Sequence, residues 1–140
     1  MRQILLFAAL AASLALLSGC ALSKAKEDKA EDMPDKAAYH KISAEEAYEM
    51  MASQEVVVVD VRTREEYDGG HIENAVLVPN ENIGSEMPEA LPDKEAPLLV
   101  YCRSGRRSKD AAQKLLALGY QSVYDFGGVI DWPYELVKEG

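Results

Sequence analysis

The stretch PLLVYCRSGRRSKDAAQKLLALGY, Pro97–Tyr120, holds a strand, a loop and a helix in immediate succession. Pro97–Cys102 is an unbroken apolar run that ends in a cysteine, the pattern of a strand buried on both faces. Ser108–Tyr120 carries Ala111, Ala112, Leu115, Leu116 and Gly119 on one side of a helix. A doubly buried strand followed at once by an amphipathic helix is the repeating unit of a parallel α/β sheet.

The flanking sequence continues that alternation. Ser43–Ser53 predicts a helix, with Ser43 and Glu46 forming a capping box and Ala47, Met50 and Met51 an apolar face. Val56–Val61 predicts a second buried strand, Thr63–Gly70 a short helix closed by Gly69 and Gly70, and Asn74–Pro79 a short strand. Asn82–Leu91 reads as a broken helical segment limited by Pro88. Ser122–Phe126 predicts a last strand, and residues 127–140 one or two short helices. The fold class expected is α/β, a small parallel β-sheet flanked by helices on both faces, spanning residues 39–140 as one domain. No internal repeat is present.

The first residues do not belong to that domain. Arg2 is followed by the apolar run Ile4–Leu17, 14 residues long. A spanning helix needs about 20, so the run reads as a signal-peptide core. LSGC, Leu17–Cys20, resembles the bacterial lipobox, which implies a leader over residues 1–19 and a lipid-modified Cys20. Residues 20–38 are rich in Lys, Glu, Asp and Ala and read as a flexible tether. The expected location is the cell envelope, outside the cytoplasm, held to a membrane by the lipid.

The loop after the buried strand carries the chemistry. The formal net charge is −9, which argues against nucleic acid as a partner. Against that background Arg103, Arg106 and Arg107 make a tight basic cluster beside Cys102, which suits a small anionic ligand. The loop lies at the carboxyl end of a strand, where open α/β sheets bind ligands, and leads into a helix N-terminus, where free N–H groups favour anions. Gly105 lets the loop curl so that those N–H groups converge on the sulfur. Such settings bring a thiol from about 8.5 into a range of roughly 3.5 to 7.5. The chain has two cysteines, and a lipidated Cys20 leaves Cys102 a free, reactive thiol.

In these residues the chain resembles the single-domain rhodaneses. CRSGRR (Cys102–Arg107) is similar to the family's C-x-x-G-x-R loop, VVDVRTREEYDGGHIENAVLVP (Val58–Pro79) to its first hallmark, and DFGGVIDW (Asp125–Trp132) to its glycine pair and tryptophan. The resemblance implies a sulfurtransferase in which Cys102 is the nucleophile and carries sulfur as a persulfide. Arg103, Ser104, Gly105, Arg106 and Arg107 would bind the donor, with Arg107, at the family's closing arginine position, foremost. Asp60 and Arg62 end the second strand near this edge and are expected to support the domain. His71 is expected to make a structural hydrogen bond, and Trp132 to pack in the core. The partners implied are an anionic sulfur donor such as thiosulfate and a thiol or cyanide acceptor, served by a monomer. No cofactor is called for, and the isolated His40 and His71 lack metal-ligand spacing. Two other readings compete. Dual-specificity phosphatases share the fold but place five residues between Cys and Arg, whereas Cys102 and Arg107 enclose four. A binding or sensory module that turns nothing over would have no need of the cysteine.

Overall fold

Residues 38–139 are described in the computed structural model of the chain. The expected leader, the Cys20 lipid site and the tether up to residue 37 lie outside the described residues. Ala38, assigned to the tether by composition, already stands in a strand.

Five parallel strands form one sheet: β1 (Ala38–Lys41), β2 (Val57–Asp60), β3 (Val76–Leu77), β4 (Leu98–Cys102) and β5 (Ser122–Gly128), in the order β1-β5-β4-β2-β3. The fully buried β4 is central. Three α-helices connect them: α1 (Ala44–Ser53), α2 (Arg64–Asp68) and α3 (Arg106–Ala117). Capping boxes open the first two, at Ser43 with Glu46 and at Thr63 with Glu66.

The period of two along each strand sorts side chains between two cores. Leu98, Val100 and Cys102 of β4, Val59 of β2 and Val123 of β5 pack with Ala111, Ala112 and Leu115 of α3. Leu99, Tyr101, Val58 and Phe126 face the other way, onto Ala47 of α1 and Tyr67 of α2. Helices therefore cover both faces, as a parallel sheet requires.

Four local expectations are corrected. No strand is expected at Ala38–Lys41, because four residues with alternating burial and no apolar run carry little strand signal, yet β1 forms there. Helix α3 begins at Arg106, two residues earlier than periodicity placed it, because Gly105 at φ 100° makes the N-cap turn that a polar side chain usually makes. Asn82–Leu91 forms no α-helix; a 3₁₀ turn at Asn80–Asn82 precedes it, and the buried Ile83 and Leu91 pin an irregular segment between them. Beyond β5 there is one 3₁₀ turn, Val129–Asp131, and then Val137 bridges to His71.

Where β5 meets β4 the register slips. Val100 pairs with Asp125, but Cys102 pairs with Gly128, so β5 holds one extra residue there. This bulge contains Gly127, whose φ of 91° favours glycine, and it carries Gly127 and Gly128 against the loop that follows Cys102.

Candidate active site

Cys102 ends the central strand and points to the α3 face. Its Sγ accepts the Gly105 backbone N–H at 3.0 Å. Burial, at 1 % exposure, pushes the thiol up, but the N–H groups of Ser108, Gly105 and Ser104, with the Ser108 hydroxyl, outweigh it. The net result is a thiol more acidic than an ordinary cysteine. The loop's N–H donors and the Ser108 hydroxyl are therefore the leading acidifying groups. The N-terminus of α3 points at the same atom and favours the anion.

The arginines divide. Arg107 Nη1 and Nη2 donate to Glu66 Oε2 and Oε1, both at 2.7 Å, in a two-pronged ion pair across α2 and α3. This hydrogen bonding from Arg107, with help from Thr63, holds the Glu66 carboxyl at about 2 against the opposing effect of its partial burial. Arg107, expected to lead in binding the donor, has both terminal nitrogens on Glu66 and so also braces the first turn of α3. Arg103 and Arg106 are exposed, and among the described residues neither is in an ion pair. A cleft of about 340 Å³ opens beside Arg103, walled by Glu66, Gly70, Val129, Ile130 and Leu136. A roomier cleft of about 630 Å³, between Tyr48, Met51, Trp132 and Tyr134, includes no residue of the loop.

Asp60 and Arg62 lie on the opposite face of the sheet from the sulfur. Asp60 is fully buried and accepts from the Arg62 side chain, the Arg62 backbone N–H and the Tyr101 hydroxyl at 2.6 Å. Arg62 also donates to Gly70 O, and Tyr101 accepts from Ile72 N–H. The network ties β2, β4 and the approach to β3 together, one residue back along the chain from Cys102. His71 Nδ1 meets Tyr67 O at 2.9 Å with the two rings stacked. Trp132 is buried against Phe126 and Tyr134.

Three residues of this region escaped the sequence reading. Glu66 lay unmarked inside a short helix. Tyr101 was one apolar position of a strand. Asp125 lay two residues before a glycine pair with nothing local to mark it. Each acts through a partner distant in sequence, so spacing carries no signal for it.

Comparison with known proteins finds similar sequences and similar folds. Residues 43–133 match the family model described as Rhodanese-like domain. A tRNA uridine(34) hydroxylase of Yersinia pestis is 31% identical over 106 residues, covering 72% of this chain and 30% of that protein. The chain thus spans under a third of the length of the curated relatives it matches. A rhodanese-like domain protein from Staphylococcus aureus has a similar structure, with 31% identity, 72% and 99% coverage and a TM-score of 0.62. A thiosulfate sulfurtransferase from Pseudomonas aeruginosa shares 27% identity at a TM-score of 0.64, over 73% of this chain and 21% of that one.

Proposed function

This chain belongs to the rhodanese-like domain family, and on that premise we propose that it is a sulfurtransferase working through a persulfide on Cys102. The observation that carries the reading is the acidified thiol at the focus of the loop: Sγ receives Gly105 N–H at 3.0 Å, with Ser104 and Ser108 N–H groups also favouring the anion.

The chemistry follows from an ionised thiol beneath an anion-binding rim. The Cys102 thiolate supplies an electron pair to the outer sulfur of thiosulfate and forms a new S–S bond. The bond between that sulfur and the sulfonate breaks, and sulfite leaves with its electrons. Arg103 and Arg106 receive the sulfonate oxygens at the mouth. The persulfide left behind is an anion, held by the donors that held the thiolate. A thiolate or cyanide then attacks the outer sulfur, and Cys102 departs as thiolate. Hydroxylation of tRNA belongs to relatives of which this chain spans 30%.

Incubation with thiosulfate should add the mass of one sulfur to the protein, at Cys102, and cyanide should remove it. Cys102→Ser should show no gain. A folded, reduced wild-type protein that never acquires sulfur from thiosulfate would falsify the reading in favour of a binding module; turnover of an aryl phosphate would favour the phosphatase.

A further inference from the structure

Ser108 has one hydroxyl hydrogen and several acceptors. It is fully buried, and its Oγ lies 2.7 Å from Asp125 Oδ1, 3.0 Å from Gly105 O and 3.3 Å from Gly127 O. The same hydroxyl is among the groups that favour the Cys102 anion. The carboxylate is both the nearest and the charged one among the oxygens. Asp125 is itself 1 % exposed. Its Oδ1 also accepts Gly127 N–H at 2.9 Å, while Oδ2 accepts the Tyr39 hydroxyl at 2.9 Å and meets Lys41 Nζ at 3.4 Å. Lys41 is the register partner of Asp125 across β1 and β5, and its side chain is 55% exposed. A chain of polar groups thus runs from the Ser108 hydroxyl, in the first turn of the helix that faces the sulfur, through a buried carboxylate to an ammonium at the edge of the sheet.

We propose that Asp125 and Lys41 are positioning residues that set how readily Cys102 ionises, by governing the single hydrogen of Ser108. The proposal rests on Cys102 being the nucleophile of the sulfur transfer above. Asp125 competes with the thiolate for that hydrogen and places a second negative charge near it, so Asp125 opposes ionisation. Lys41 draws the carboxylate's field outward and offsets it, so Lys41 favours ionisation. The two act with opposite sign, whereas a pair that only fastened β1 to the sheet would not.

The other charged groups around the sulfur stay constant in such a comparison. Arg107, whose charge the Cys102 anion favours, is held by Glu66. Arg103 and Arg106 stand on the loop, and Asp60 and Arg62 pair with each other on the far face. The Tyr39 hydroxyl, pushed up to about 12 by burial and by Asp125, stays a donor through the neutral range.

The test is the rate of iodoacetamide alkylation against pH in the full-length chain, read by mass on the peptide holding Cys102. In Asp125→Asn the amide oxygen accepts more weakly, the hydroxyl turns to the sulfur, and the midpoint falls by about half to one pH unit. The rate at full ionisation falls with it, roughly threefold per unit, since a less basic thiolate is a weaker nucleophile. Lys41→Met raises the midpoint, and Lys41→Arg restores it. An unmoved midpoint in Lys41→Met, or displacement of Lys41→Met and Asp125→Asn in one direction, overturns the proposal. Lys41 lies at the surface, so the lysine variants decide the matter even where Asp125→Asn does not fold. Sulfur gain from thiosulfate is scored separately: its absence from wild type sinks the sulfurtransferase reading, while normal gain with unmoved midpoints sinks only this inference.

Discussion

Glu66 serves two elements with one carboxylate: it caps α2 through Thr63 and holds both terminal nitrogens of Arg107. Arg107→Ala and Glu66→Gln therefore break the same contact, and each should slow sulfur loading from thiosulfate about tenfold by releasing the first turn of α3. The double variant should cost little more than either alone, and a double-mutant cycle on loading rates measures this. Full additivity would mean that Arg107 acts on the donor independently of Glu66. The pair also has a pH signature. The Glu66 carboxyl lies at about 2 against an ordinary 4.5, so folding favours its charged form. Its contribution to stability is present in full above about 4.5 and is lost as pH falls toward 2. Thermal melts between those limits should fall less steeply in Glu66→Gln than in wild type, with a modest difference because the pair is partly exposed.

The loop between β4 and α3 is shaped as much by β5 as by its own residues. The bulge at Asp125–Gly128 brings Gly128 so close that a Cβ there would overlap the Arg103 carbonyl oxygen and the Ser104 Cα. Both are backbone atoms and cannot swing aside. Ile130 N–H donates to the same Arg103 carbonyl at 3.2 Å, which fixes the segment after the bulge to the rim of the site. Gly128→Ala should cost about 1–3 kcal/mol of unfolding free energy, the range for overpacking, and should also slow alkylation of Cys102 at neutral pH. Urea denaturation and the alkylation rate are the two measurements. Retention of both would show that the loop does not depend on this close approach.

At the scale of the whole molecule, an acidic body with a net charge of −9 concentrates exposed positive charge at the mouth of one buried sulfur. A small anion would meet attraction there and repulsion over much of the remaining surface. We propose that this body works outside the cytoplasm on a lipid carried by Cys20. One acyl chain binds a bilayer only marginally, at about 10⁴ M⁻¹, so a stable anchor needs two or more. Wild-type protein should fractionate with membranes, and Cys20→Ala should abolish lipid attachment. Recovery of wild-type protein as a soluble, unlipidated species counts against the anchor.

Much of the scaffold was legible in the chain itself, because local physics writes it. Four buried residues before Cys102, a glycine three positions after it and a helix beyond specify a thiol at the carboxyl edge of a parallel sheet, facing a helix N-terminus. Burial on two faces demands continuous apolar strands, and a turn at φ 100° demands glycine. What the sequence could not specify are pairings between residues far apart along it. Arg107 looked free for substrate until α2 brought Glu66 to it across 41 residues. Nothing linked Asp125 to Lys41 until β1, too short to be read as a strand, paired with β5 and closed a path to Ser108. Periodicity, capping and turn chemistry act over a few residues and leave a local pattern. Register between strands and the meeting of two helices follow from packing the whole chain, and only the tertiary structure decides them.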